Sequence, residues 1–206
     1  MRFYIPFLTV LLIFQTSSGD KLFQMKIGPT WPSSLWDTEK PTAWDASIQT
    51  GGVFDDKVAI GCAVDFLWNN DAKEKKYASG IYKVEMLQRT FMFPVAGFVS
   101  VSPLSELAVH PCISGFIGLN TMYFSYKGDR DTIPRTIKID GSGWYMGLIW
   151  KIAGDCEIKM GQSSSFITGM EYQWSKPRKL EDENEDLYLR RNMSGFGIRL
   201  GIKVYY

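Results

Sequence analysis

The chain has 206 residues, 23 of them basic and 22 acidic, with 19 glycines, 15% aromatic residues, three cysteines and a single histidine. A charge this close to zero excludes nucleic-acid binding through a basic excess. Cys62, Cys112 and Cys156 without a Cys-x-x-Cys exclude a dense disulfide framework, and His110 alone does not complete an ordinary zinc site, so no cofactor is expected.

Met1-Arg2 supplies one positive charge, residues 3–14 form an apolar run, and Ser17, Ser18 and Gly19 precede the first acid, Asp20. This order predicts a secretory signal peptide over 1–19, cleaved after Gly19, because the run falls short of the roughly 20 residues of a membrane-spanning helix. An uncleaved N-terminal anchor is the alternative. Loss of Arg2 leaves 22 basic residues against 22 acidic ones in a domain of residues 20–206, a length that suits one all-β barrel.

Strict alternation of apolar and small or polar residues marks strands. In the first strand Phe23, Met25, Ile27 and Trp31 oppose Leu22, Gln24, Lys26, Gly28 and Thr30. In the second, Trp44, Ala46 and Ile48 oppose Asp45, Ser47 and Gln49; in the third, Val58 to Trp68 at even numbers oppose Ala59, Gly61, Ala63, Asp65 and Leu67. A fourth, within 84–101, alternates only in part and contains Pro94, where a bulge or kink is expected because proline lacks a ladder donor. A fifth, within 109–126, has faces that are hard to separate. In the sixth, Trp144, Met146, Leu148, Trp150 and Ile152 oppose Tyr145, Gly147, Ile149 and Lys151. In the seventh, Phe166, Thr168, Met170, Tyr172 and Trp174 oppose Ile167, Gly169, Glu171 and Gln173. The eighth is the most regular: Phe196, Ile198, Leu200, Ile202, Val204 and Tyr206 oppose Gly195, Gly197, Arg199, Gly201, Lys203 and Tyr205.

Long links (32–42, 69–83, 127–142 and 175–192) alternate with shorter ones (51–56, 102–107 and 154–162), as extracellular loops and periplasmic turns do in membrane barrels. Trp31, Trp44, Trp68, Trp144 and Trp174 all fall at the long-loop rim, where an indole meets both hydrocarbon and water. Phe23, Phe54 and Tyr206 form a sparser belt at the other rim. The expected fold is an all-β, eight-stranded antiparallel up-and-down barrel with its apolar faces outward.

On these strands, loops and the terminal segment, the chain resembles the small eight-stranded outer-membrane barrels such as the OmpA transmembrane domain and OmpX. Its fourth and fifth strands are less regular than theirs. The resemblance implies a location in the bacterial outer membrane, contact with outer-membrane lipid and lipopolysaccharide, and a monomeric state. It also implies that Leu200, Ile202, Val204 and the final aromatic, Tyr206, form the signal read by the barrel-assembly machinery.

The inward faces carry Lys26, Lys151, Arg199 and Lys203 against Asp45, Asp65 and Glu171. An eight-stranded barrel holds little more than side chains, so these charges are expected to pair as a network that plugs the lumen. Glycines 28, 61, 147, 169, 195, 197 and 201 leave room for them. A narrow pore is one alternative, a lipid-modifying outer-membrane enzyme another, and a soluble lipocalin-like binding barrel a third. No catalytic residue is expected: His110 and Cys112 share a face but lack an orienting third group. In the fourth long loop, Lys176, Arg178 and Lys179 precede Glu181, Asp182, Glu183, Glu185 and Asp186, then Arg190 and Arg191; a mobile solvated loop or a contact site for lipid phosphates, divalent cations or another cell surface both fit. Asp129, Arg130 and Asp131 in the third loop add to that charge. The expected function is non-enzymatic, in surface interaction or envelope integrity. At most one disulfide is expected, with pairing of Cys112 to Cys156 open.

Overall fold

The computed structural model describes residues 20–33, 42–54, 56–76, 83–132, 135–140, 142–180 and 191–206, with backbone alone for 71–76, 83–87, 126–132 and 135–140. The expected leader, 1–19, lies outside the described residues, as does the acidic stretch of the fourth loop. The strands are β1 (Lys21–Pro32), β2 (Ala43–Phe54), β3 (Val58–Lys76), β4 (Lys83–Val101), β5 (Val109–Thr132), β6 (Arg135–Asp140), β7 (Gly143–Lys159), β8 (Ser164–Ser175), β9 (Arg178–Lys179) and β10 (Gly195–Tyr205). No α-helix occurs among the described residues.

Eight of these strands form the wall. Each pairs antiparallel with the next, β5 pairs with β7, and β1 pairs with β10, which closes the sheet on itself. Closure gives every wall strand two partners and leaves no free edge, so backbone donors and acceptors are satisfied within the sheet. At the seam, Lys21 and Tyr206 exchange both backbone hydrogen bonds, each 2.9 Å.

Alternation dictates which side chains face the lumen. In β1, β2 and β10 the burial pattern switches at nearly every residue, with the large apolar side chains on the exposed face. Strands β4 and β5 follow the same rule: Met92, Ala96, Phe98, Phe116, Met122 and Phe124 point inward, whereas Phe93, Val99, Ile113, Ile117 and Leu119 are exposed outside. Their sequence blurs because apolar residues occupy both faces, so polarity does not separate lumen from exterior there.

The bulge expected at Pro94 is not present. Val64 pairs with Val95 and Leu67 with Met92, so the register of β3 against β4 is unchanged across a lapse of two pairs. Towards β5 the ladder continues, with Pro94 opposite Asn120. A bulge requires an inserted residue, and none is inserted; proline only withdraws its N–H from one neighbour. Pro29 does the same between β1 and β10, where pairing stops at Ile27–Leu200 and resumes at Thr30–Gly197. There a Cβ on Gly28 would land on the Ile198 carbonyl oxygen, so the close approach of these two backbones requires glycine.

Three expected links are shorter than the sequence suggests. Strands β3 and β4 extend past the wall to Lys76 and from Lys83, and β5 and β6 form a hairpin from Lys127–Asp140 pairing to Thr132–Arg135. Strand β7 continues through Gly154 to Lys159, so the turn to β8 spans only 160–163. β9 continues the register of β8 along β7 after Pro177 interrupts it.

Candidate functional site

The lumen concentrates the ionisable side chains. Lys26 donates to Asp155 at 2.5 Å, and Lys151 donates to Asp65. Arg199 donates from one nitrogen to both Asp45 and Glu171, while its other terminal nitrogen lies 3.7 Å from Asp65. Lower down, Lys203 donates to Glu157 at 2.8 Å, and the Tyr205 hydroxyl donates to the other oxygen of that carboxylate at 2.8 Å. All nine charged partners are buried, which is tolerable only because each has an opposite charge within reach.

Lys26, Asp45, Asp65, Lys151, Glu171, Arg199 and Lys203 are thus gathered in one lumen, in three sets of ion pairs. Asp155 and Glu157 join them and were missed by sequence reasoning, which ended the sixth strand at Ile152 and took Gly154 as the start of a turn. Alternation held the signal: Ala153, Asp155 and Glu157 keep the parity of Lys151, and Gly154, Cys156 and Ile158 keep that of Ile152. With them, five carboxylates and four cations make up these ion pairs. Gly169 gives Asp155 its space, since a Cβ there would overlap the carboxylate.

Two apolar clusters pack against this charged layer. Above it, towards the long links, Ala43, Leu67, Met92, Met122, Phe124, Tyr145 and Met193 form one buried cluster. Arg191 stacks on Phe124 with its guanidinium carbon 3.5 Å from the ring centroid. Beside it, Leu22, Ala59, Ala63, Ala96, Phe98, Phe116 and Ala153 form a second, with Ala153 between Lys151 and Asp155 on the inner face of β7. Lys151 bridges to this layer, 5.0 Å from the Phe116 centroid.

At the lower mouth, beside the short turns, His110 is buried. Its Nδ1 lies 3.1 Å from the Leu107 carbonyl and its Nε2 3.5 Å from Glu157. A cavity of about 300 Å³ opens there, lined in part by Asp20, Asp56, Glu106, His110 and Tyr205. Cys112 points inward, 2.8 Å from the Ser100 hydroxyl, whereas Cys156 lies outward on β7 opposite Pro111. The three thiols are free, and Cys112 and Cys156 occupy opposite sides of the wall.

On the outside, aromatic side chains line up in register rather than by position along each strand. Trp44 pairs with Trp68, Trp68 with Phe91, Phe91 with Tyr123, and Tyr123 with Trp144. Trp31 continues through Phe196 to Tyr172, and Trp174 pairs with Trp150. Trp31, Trp44, Trp144 and Trp174 sit near strand ends, but Trp68 does not, because β3 runs on to Lys76. Phe23, Phe54 and Tyr206 are exposed. Leu200, Ile202 and Val204 point outward along β10. Of the fourth-loop charges, Lys176 and Arg178 lie exposed on the outer face and Lys179 is half-buried against Gly143; Glu181, Asp182, Glu183, Glu185, Asp186 and Arg190 lie outside the described residues. The side chains of Asp129, Arg130 and Asp131 lie outside the description as well, their backbone forming the β5–β6 hairpin.

The fold is that of small outer-membrane β-barrels. Neisserial surface protein A superposes with a TM-score of 0.51 over 92% of this chain and 98% of its own, at 10% identity. The outer membrane protein OprG from Pseudomonas aeruginosa superposes with a TM-score of 0.51 over 91% of this chain and 96% of its own, at 12% identity. No protein-family model matches the chain, and no curated protein matches it by sequence.

Proposed function

We propose that this chain is an integral outer-membrane barrel, non-enzymatic and monomeric, with its lumen shut by its own side chains. Its upper loops then serve surface interaction or envelope integrity. The observation that carries the closed lumen is the run of ion pairs between strands that are not neighbours. Lys26–Asp155 links β1 to β7, Lys151–Asp65 links β7 to β3, and Arg199–Asp45 links β10 to β2. Such pairs lie across the path that a solute would take, and two apolar clusters pack against them.

Placement in a membrane rests on the outer wall. Ile117, Leu148 and Met170 are 71, 70 and 66% exposed, and the same face carries most of the large apolar side chains of the wall strands. A contiguous apolar band of this kind marks a lipid or partner surface on a protein in water, whereas in hydrocarbon it is the ordinary exterior. The fold shared with outer-membrane barrels supports the outer membrane as that membrane. In this reading the final strand, with Tyr206 at its end, is the segment taken up by the barrel-assembly machinery.

Two measurements test the reading. The protein should co-fractionate with outer membranes and require detergent for release. Purified and placed in planar bilayers, it should give no stable single-channel current; a large and reproducible conductance would reject the closed lumen and make transport the function.

A further inference from the structure

The outer wall carries a groove whose chemistry differs on its two sides. Pairing of β7 with β8 ends at Ile149–Ser175 and resumes with β9 at Met146–Arg178. In between, Pro177 has no N–H to offer, and the Ser175 hydroxyl takes up the Leu148 carbonyl at 3.3 Å. A groove of about 420 Å³ lies on the exterior beside this lapse, within the range of about 300–1,000 Å³ typical of small-molecule sites.

One side of the groove, from β7, is apolar: Met146, Leu148 and Trp150. The other changes character at alternate residues of the outer face, from Trp174 to Lys176 to Arg178. Trp150 and Trp174 meet edge-on at its base, with centroids 4.6 Å apart. Lys176 lies over Trp174, 5.5 Å from the ring centroid. Among the described residues no carboxylate pairs with Lys176 or Arg178. Two exposed cations therefore stand directly beside a lipid-facing apolar groove, at the rim where hydrocarbon gives way to headgroups.

We infer that this groove binds a phosphorylated, multiply acylated lipid of the outer leaflet, of the lipid A class. An acyl chain lies along Met146, Leu148, Trp150 and Trp174, and the phosphates accept charge-assisted hydrogen bonds from Lys176 and Arg178. Neither half suffices alone: the cations without the groove would take any anion, and the groove without the cations any alkyl chain. The inference rests on the membrane reading above, since only a barrel in that leaflet meets such a lipid.

The test uses the full protein extracted in detergent from the outer membrane of a Gram-negative host. Its folding is checked first by heat-modifiable mobility in gels. Retained lipid is then titrated by native mass spectrometry with bisphosphorylated lipid A, monophosphorylated lipid A and phosphatidylglycerol. Wild-type protein and a charge-matched control at the lower rim, K57A/K159A, should hold bisphosphorylated lipid A best. The K176A/R178A variant should bind it about tenfold more weakly or worse, the loss expected for charge-assisted bonds. Leu148→Asp should also lose it while keeping both cations.

Equal binding by K176A/R178A, an equal loss in the control, or equal retention of phosphatidylglycerol would each overturn the site. Complete competition by inorganic pyrophosphate would do so too, by reducing the site to a free-phosphate cradle. A protein that folds in bilayers yet retains no lipid A removes this site alone, whereas failure to reach the outer membrane removes the membrane reading with it.

Discussion

Lys26 of β1 and Asp155 of β7 meet at 2.5 Å inside the barrel, although their strands are not hydrogen-bonded neighbours. The bond is a cross-brace: it ties opposite parts of the wall through the lumen, which backbone ladders between adjacent strands do not do. Replacing Lys26 with Met leaves the Asp155 carboxylate buried and unpaired, at an expected cost of about 3–5 kcal/mol. Adding Asp155→Leu should recover most of that loss. Urea unfolding of the protein in lipid vesicles measures both; a Lys26→Met variant as stable as wild type would show that the brace carries no load.

Leu200 is half exposed on the outer wall, one residue from the buried Arg199. Leu200→Arg should destabilise the inserted barrel by about 2–4 kcal/mol if that position lies near mid-depth in lipid. The reverse exchange, Arg199→Leu, should fail for a different reason, by leaving Asp45 and Glu171 without their shared cation. Unfolding from vesicles of matched thickness reads the first effect, and a Leu200→Arg barrel of unchanged stability would argue against lipid on this face.

Deleting Tyr206 removes an exposed aromatic ring together with the two backbone hydrogen bonds that it shares with Lys21 at the seam. Insertion should fall and periplasmic degradation should rise, while export across the inner membrane continues. Tyr206→Phe keeps ring and backbone and should insert normally. Normal outer-membrane levels of the truncated chain would show that the final strand is not the segment recognised during assembly.

The three cysteines offer a map of the wall. Cys62 and Cys156 are partly exposed on the outer face, whereas Cys112 is buried beside Ser100 in the lumen. A lipid-soluble maleimide should label the first two in the folded protein and reach Cys112 only after unfolding. Rapid labelling of Cys112 in the folded barrel, or a Cys112–Cys156 disulfide under oxidation, would contradict the assignment of faces.

Period-two alternation is local, and so the sequence alone determined which residues of six strands face the lumen, from Leu22 in β1 to Lys203 in β10. It also determined the number of wall strands, because long and short links alternate with them. Where both faces are apolar, as in β4 and β5, the pattern carries no polarity signal and only the sheet separates inside from outside. Strand ends were likewise beyond it: Gly154 reads as a turn residue on its own, yet β7 runs through it because β5 and β8 pair on both sides. That extension brings Asp155 to Lys26 and Glu157 to Lys203. Partner choice across the lumen depends on how the closed wall staggers its strands, and stagger is a property of the whole ring rather than of any segment. The groove beside Lys176 and Arg178 is tertiary for the same reason, since its two sides come from β7 and from the segment that joins β8 to β9.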